Sequence, residues 1–441
     1  MDSARRPLRI LMTNNTLASR AGSELYLRDL AVALMRRGHL PVAYSPVLGE
    51  VADELRDLTV PVIDDLRHME TAPDVIHGQH HHETMTAVLG HPGTPAVYTC
   101  HGWAPWEEFP PAFPGIMTYV AVDDLCRERL LTTPGILPER ISTLYNFVDL
   151  ARFHQVRELP EAPRSALVFS NYAEQVSDAI RTACANCGIE KVDIAGIRSG
   201  TTIPRPEDVL SNYDIVFAKA RAAIEAMASG CAVVVTDYAG LAGMVTRDKV
   251  ERLRKLNFGA RSMQAARMTR ENIEREIRLF DARDARAVTD WIRTDADMAP
   301  AVERWIALYD DAIDAWNRKG AGISDAAKLK AASEYQRFLS PRVKFAFHNE
   351  HLRHKAEHER TALAEELEDF RAGHDELAGQ LAASTEQVKQ LEIEITECLA
   401  VRAQLATELA ACRSELSLLK SPPPGGVGRL YRRCRRWFAK T

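Results

Sequence analysis

Two doubly wound α/β domains followed by a long helical coiled coil is the architecture this chain predicts, and three observations predict it. Short β-rich runs alternate with amphipathic helical runs from residue 8 onward, the rhythm of βαβ units on a parallel sheet. A polar, proline-bearing stretch, HQVRELPEAPRSA from residue 154, interrupts that rhythm before a second series begins. A heptad of apolar residues then runs from Leu363 to Leu419. The 441 residues, 46% of them hydrophobic, suffice for two or three separate cores.

In the first series LRILMTNN reads as a strand, SELYLRDLAVALMRRG as a helix and PVAYSP as the next strand. DVIHGQH, AVYTCH and YVAVDD add three more, and ISTLYNF completes a Rossmann-like domain over 1–155. The second series, ALVFSN, KVDIAG, YDIVFA and CAVVVTD, predicts another such domain over 156–345. Charged amphipathic helices, among them ERLRKLNF and AVERWIALYDDAIDAWN, are expected to close it. Such sheets bind ligands beyond the carboxyl ends of their strands, so the cleft between the domains is the expected site.

The coiled coil is predicted over 346–420. Fourteen of its seventeen seam positions from Leu363 are apolar, the exceptions being His374, Ser384 and Arg402. A helix of this length has no core of its own, which makes a homodimer the simplest expectation. SPPPGG stops the helix, and the tail over 421–441 ends in VGRLYRRCRRWFAKT, with six Lys or Arg and no acid. That composition suits peripheral contact with an anionic membrane, each basic residue contributing about 1 kcal/mol there, and equally a solvated tail.

The formal charge of −5 gives no global footprint for nucleic acid, and none is expected as a partner. The opening MDSARRPLRILM lacks the pattern of a secretory signal, and no apolar run reaches the roughly 20 residues of a membrane helix. A cytoplasmic location, with the inner face of the membrane within reach of the tail, is the expectation. Cys184 and Cys187 form a lone C-x-x-C inside a helical run, where neither zinc nor redox chemistry is expected.

The stretch FAKARAAIEAMASGCAVVVTDYAGL, residues 217–241, carries the chemistry. The strand YDIVFA leads into a small-residue helix that Gly230 closes, and Lys219 and Arg221 stand at the helix start. Cations there oppose the macrodipole by roughly 0.3–1 kcal/mol each. Free N–H groups, the dipole and two cations on one spot describe a phosphate site. Glu225, one turn further in among Ala, Ile and Met, needs strong donors. A ribose diol supplies two; a neighbouring arginine would satisfy it as well.

IEAMASGCAVVVTDYAGL resembles the nucleotide-sugar motif of retaining GT-B glycosyltransferases of the family 4 type, and the resemblance extends over most of residues 8–246. RLLTTPGILPERISTLYNFVDLARF resembles that family's interdomain connection, with Asn146, Val148, Asp149, Arg152 and Phe153 matching. DVIHGQHHH, VYTCHGW and the GSELYLRDLAVALMRRGH helix are similar to its first domain. The resemblance implies that Glu225 holds the donor ribose, that Gly22 sits where a glycine-rich loop approaches the donor diphosphate or the acceptor, that Gly240 lies against the donor, and that His101 faces the reaction centre. It also implies no cofactor and no metal. His77, His80, His81, His82 and Glu83 resemble a metal-binding string, but successive residues at a strand end point to different faces.

Two departures from the family pattern stand out. The position of its first glutamate, eight residues before Glu225, is Phe217, only three residues after Asp214 and inside a predicted strand. SNYAEQ, residues 170–175, carries neither the Arg nor the downstream Lys that neutralise the diphosphate in many relatives. Lys219 and Arg221 are the expected replacements. The implied activity is transfer, with retention, from a UDP- or GDP-sugar to a glycan, lipid-linked or protein acceptor in surface polysaccharide, lipopolysaccharide or glycoprotein assembly. A catalytically inactive scaffold that gathers partners through its coiled coil, and a nucleotide-sugar epimerase, are the alternatives.

Overall fold

The computed structural model describes residues 6–171, 177–319 and 323–420. Most of SNYAEQ, the SPPPGG stop and the basic tail lie outside the described residues. The chain divides into a unit over Met1–Phe338 and a second over Leu339–Thr441.

The first sheet contains β1 (Arg9–Thr13), β2 (Leu40–Tyr44), β3 (Val62–Ile63), β4 (Val75–Gln79), β5 (Ala96–Cys100), β6 (Ile116–Ala121) and β7 (Ile141–Thr143). All are parallel, in the order β3-β2-β1-β4-β5-β6-β7. Helices cover both faces, which is why these strands read as nearly unbroken apolar runs. Among them, α1 (Gly22–Arg36) returns the chain from β1 to β2, and α3 (His81–Gly90) leads from β4 toward β5.

The second sheet contains β8 (Ser165–Phe169), β9 (Lys191–Ala195), β10 (Ile215–Ala218), β11 (Ala232–Asp237) and β12 (Gly240–Met244). Their order is β12-β11-β10-β8-β9, with only β12 antiparallel. Both Rossmann-like domains expected from the sequence are therefore present. In each, the strand order reverses once, between β1 and β4 and between β8 and β10, and there the carboxyl ends open a crevice.

The connection between the sheets is fixed by Asp214. Its carboxylate accepts from Arg157 Nη2 at 2.7 Å, from the Arg164 N–H at 2.8 Å and from the Ser165 N–H at 3.0 Å. The same stretch seals the end of α6 (Ala220–Ala228), because the Arg157 N–H donates to Ser229 O at 2.9 Å.

That helix ends as its sequence dictates. Gly230 takes the left-handed conformation at φ +87°, its N–H reaching Met227 O while the Cys231 N–H reaches Ala226 O. Both bonds satisfy carbonyls that the helix end would orphan.

One helix departs from the expected arrangement. The AVERWIALYDDAIDAWN segment forms α10 (Met298–Lys319), which packs on the first domain and not the second: Trp305, Ile306 and Tyr309 join a core with Tyr26, Leu30 and Val97. Trp305 Nε1 donates to Tyr26 Oη at 2.9 Å. Helical periodicity shows that a face is buried without naming the surface that buries it. The final helix, α11, spans Asp325–Lys420, so it starts before the coiled-coil boundary at 346.

A Cβ at Gly230 would lie 2.6 Å from both the N and O of Arg157, in a conformation that already disfavours L side chains. Gly230→Ala should lower unfolding free energy by about 2–3 kcal/mol, measurable as a displaced urea midpoint at unchanged slope.

Candidate functional site

A cleft of about 230 Å³ opens where the second sheet reverses its strand order. Arg20 and Gly22, from the β1–α1 connection, form one wall. Ser170 and Gly196, beyond the ends of β8 and β9, and the β10–α6 turn from Lys219 to Glu225 form the other. Residues from both domains thus meet at the carboxyl edges of both sheets, where a doubly wound fold presents its ligands. Four of the sequence-derived site residues converge here: Gly22, Lys219, Arg221 and Glu225.

The β10–α6 turn is strained. Ala220 adopts φ +47° while its N–H donates to Phe258 O at 3.1 Å; the left-handed region costs an L residue roughly 1–2 kcal/mol. Among the described residues, the N–H groups of Arg221 and Ala222 donate to no protein acceptor. They point out of the helix N-terminus as anion-binding groups do.

The two cations are not open to an incoming anion in the way the sequence suggested. Lys219 Nζ is bonded to Asp237, a buried carboxylate at the end of β11 that also accepts from Ser170 Oγ at 3.3 Å. Arg221 is nearly enclosed: Nε donates to Glu225 Oε1 at 2.7 Å and Nη2 to Asp29 on α1 of the first domain. Glu225 therefore takes the arginine partner that competed with a ribose diol. Its second oxygen accepts no hydrogen bond among the described residues. Arg221 Nη1 is buried without a partner.

Asp29 is the centre of a network that the sequence reading missed. Arg28 Nη2 donates to it at 2.6 Å and Arg152 Nη1 at 3.2 Å, in addition to Arg221. Arg28 continues to Glu54 at 2.7 Å, and Arg152 to Glu207 at 2.8 Å. Burial pushes the Asp29 carboxyl up, but three guanidiniums overcome it and hold the group well below the usual range. The same attraction from Asp29 and Glu225 raises Arg221 despite its burial. The available signal was an Arg–Asp pair on the face of an amphipathic helix that otherwise buries Leu27 and Leu30.

His101 and Gly240 do not line this cleft. His101, beyond β5, lies edge-on to Tyr26 with centroids 4.8 Å apart, its Nε2 buried without a partner among the described residues. Burial, only partly offset by Glu108, lowers its pKa to about 4, so the ring is neutral at pH 7. Gly240 starts β12 at φ +147°, where a Cβ would stand 2.2 Å from Met263 O; its glycine is required by that turn. A Cβ at Gly22 would meet nothing within 4 Å, so no protein contact requires glycine there.

The histidine string disperses, though not by strand alternation: His77 lies in β4, His80 caps α3, and His81, His82 and Glu83 stand on that helix. His77 is fully buried beneath α10, with Nδ1 2.9 Å from Tyr309 Oη. The His81 Nδ1 lies 2.6 Å from Tyr335 Oη on α11. His80 turns to the carboxyl edge: the Asn15 N–H donates to its Nδ1 at 3.2 Å, leaving the ring proton on Nε2, 3.5 Å from Glu108. Glu108 also accepts the His101 N–H at 2.9 Å. Buried Glu24, whose pKa burial raises, belongs to the same electrostatic group. Among the described residues, no three His, Cys, Asp or Glu side chains gather as a metal site. Burial pushes the Cys184 thiol up to about 12, opposing the thiolate that zinc or redox chemistry requires.

Comparison with known proteins agrees with this fold. Residues 20–152 match the model of Glycosyltransferase Family 4. Among curated proteins, no sequence matches. A glycosyltransferase from Rickettsia africae has a similar structure, with a TM-score of 0.53 at 12% identity over 70% of this chain and 99% of that one. Anabaena HepE, solved with UDP and glucose, gives 0.50 at 14% identity over 69% and 99%. The fold is that of the GT-B glycosyltransferases: two Rossmann-like domains with a cleft between them, followed here by a long helix. Among the described residues, no helix is long and apolar enough to cross a membrane.

Two outcomes test the electrostatics. Asp29→Asn leaves three guanidiniums without their shared anion and should cost about 3–5 kcal/mol, read from urea unfolding at pH 7. His77 is held neutral, with a pKa lowered by burial to about 3. The unfolded ring takes up a proton below about pH 6.5, which favours unfolding as pH falls. Wild type should lose about 2 kcal/mol from this group between pH 7 and pH 5, a loss that His77→Gln removes.

Proposed function

We propose that this protein is a retaining glycosyltransferase that uses a UDP- or GDP-sugar, binding the nucleotide in the cleft between α6 and the β1–α1 connection. The observation that carries the reading is the Glu225 carboxylate on the cleft wall, one turn behind free N–H groups of a helix N-terminus. Support also comes from the family match over the first domain and from the fold shared with HepE, which was solved with UDP and glucose.

In this reading the ribose diol donates to Glu225, and the diphosphate lies against the N–H groups of Arg221 and Ala222. The anion competes with Asp237 for Lys219 and with Asp29 and Glu225 for Arg221. Phosphate and carboxylate both form charge-assisted bonds with these cations, so the exchange retains most of the bond strength. Transfer breaks the bond from the anomeric carbon to the phosphate oxygen and forms one to the acceptor oxygen on the same face. The departing phosphate takes the hydroxyl proton, and the protein supplies positioning and charge. No metal or cofactor is required, and the acceptor is a glycan, a lipid-linked sugar or a protein in surface-glycan assembly. A cytoplasmic enzyme whose basic tail touches an anionic membrane completes the proposal.

A second reading has specific support. Phe217 is buried within β10 where the family has its first glutamate, and the cations of the cleft all meet carboxylates. Both facts suit a scaffold that has kept the fold and lost transfer.

Calorimetry with UDP, GDP and their sugars, alongside a hydrolysis assay, separates the two. For the enzyme, donor binding and turnover are expected, with Glu225→Ala weakening binding about 10- to 100-fold and Lys219→Ala lowering turnover. Arg221 keeps Asp29 in the first variant, so the fold should survive, as circular dichroism would verify. Binding without turnover selects the scaffold; absence of binding across the panel rejects the nucleotide site.

A further inference from the structure

The second unit presents an apolar stripe that is exposed among the described residues. Seam residues of α11 from Leu363 to Leu416 are half exposed or more, and Cys398 and Cys412 on the same stripe are exposed. Over this stretch the stripe is about 80 Å long at 1.5 Å per residue. We propose that it pairs with a second copy of this chain as a parallel, in-register, two-stranded coiled coil.

The charges flanking the seam select the orientation. Taking Leu367 and its heptad equivalents as position a and Leu363 and its equivalents as d, Glu366 and Glu408 occupy g, and Arg371 and Arg413 occupy e. In a parallel pair each g residue faces the e residue of the next heptad across the interface. Glu366 then meets Arg371 of the partner subunit, and Glu408 meets Arg413 of the partner subunit. No like-charged g–e pair arises between Leu363 and Leu416. With the same stretch paired antiparallel, g faces g: Glu366 opposes Glu415 of the partner subunit, while Arg371 and Arg413 face only alanines.

Polar seam residues select register and strand number. In-register pairing sets His374, Ser384 and Arg402 against their own copies, whereas a slip of one heptad sets each against an apolar residue. Two strands leave both flanks of the Arg402 layer open to water, so the guanidiniums can turn outward. Three or four strands would enclose them in a closed core.

The two cysteines report on the arrangement. Both occupy d, so parallel in-register strands place each beside its own copy. In the antiparallel register Cys398 faces Leu381 and Cys412 faces Leu367. The full chain carrying Cys434→Ser, prepared as a mixture of ¹⁴N- and ¹⁵N-labelled copies, is oxidised with copper–phenanthroline and oxygen. Each disulfide forms as two thiols lose two protons and pass two electrons to that oxidant. The expected result is Cys398–Cys398 and Cys412–Cys412 bonds between differently labelled chains. Sedimentation should give twice the 49.2 kDa chain mass.

Glu366→Lys with Glu408→Lys should weaken self-association about tenfold, and adding Arg371→Glu with Arg413→Glu should restore it. A single-chain mass, a mass of three or more chains, a two-chain mass without same-residue disulfides, or no rescue by the charge swap each overturns the proposal. None of these readouts depends on sugar transfer.

Discussion

The relation between the two Rossmann-like domains depends on one buried carboxylate, Asp29. It sits on α1 of the first domain and accepts from Arg28 of its own helix, Arg152 of the interdomain connection and Arg221 of the second domain. A carboxylate of this burial costs several kcal/mol to desolvate, and a single partner rarely repays it. Three guanidiniums do, and each comes from a different part of the chain. The interaction is thus satisfied only when both domains and their connection are in place. Arg20, through Glu54, and Glu207, through Arg152, extend the constraint along both walls of the cleft.

The same constraint sets the electrostatic character of the cleft. Arg20, Arg28, Arg152, Lys219 and Arg221 are matched by Asp29, Glu54, Glu207, Glu225 and Asp237, so the fixed charges nearly cancel. Affinity for an anion is therefore a difference between two sets of charge-assisted bonds. The groups that are not already committed decide it: the N–H groups at the start of α6, the buried Arg221 Nη1 and the second oxygen of Glu225. A neutral site of this kind discriminates by geometry, because an anion gains only where its oxygens match the donors better than the carboxylates they displace.

The fold was legible because its signals are local. Apolar runs punctuated by turn residues marked the strands, Gly230 marked the end of α6, and the position of Phe217 three residues after Asp214 placed it inside β10. The convergence of Gly22, Lys219, Arg221 and Glu225 followed from the rule that ligands lie at strand carboxyl ends. What sequence could not resolve was who meets whom. Lys219 and Arg221 looked like open cations because Asp237 lies 18 residues from the first and Asp29 lies 192 residues from the second. Neither separation carries a periodic signal. The destination of α10 was hidden for the same reason: an amphipathic face declares that it is covered, while the choice between two adjacent sheets is made by packing.

The two walls of the cleft differ in chemistry, and the difference follows from their sequences. On the second domain, a helix N-terminus with Lys219 and Arg221 supplies donors to an anion. On the first, Arg20 and Gly22 line the cleft, and the carboxyl edge of the sheet outside that lining carries the buried group Glu24, His80, His101 and Glu108. Asn15 fixes the His80 tautomer, and Glu108 ties His80 to the backbone of His101, so the cluster is rigid before any ligand arrives. Burial raises Glu24 and lowers His101, which brings both toward neutral forms able to hydrogen-bond uncharged hydroxyls. The Asp29 network sets the spacing between the two walls.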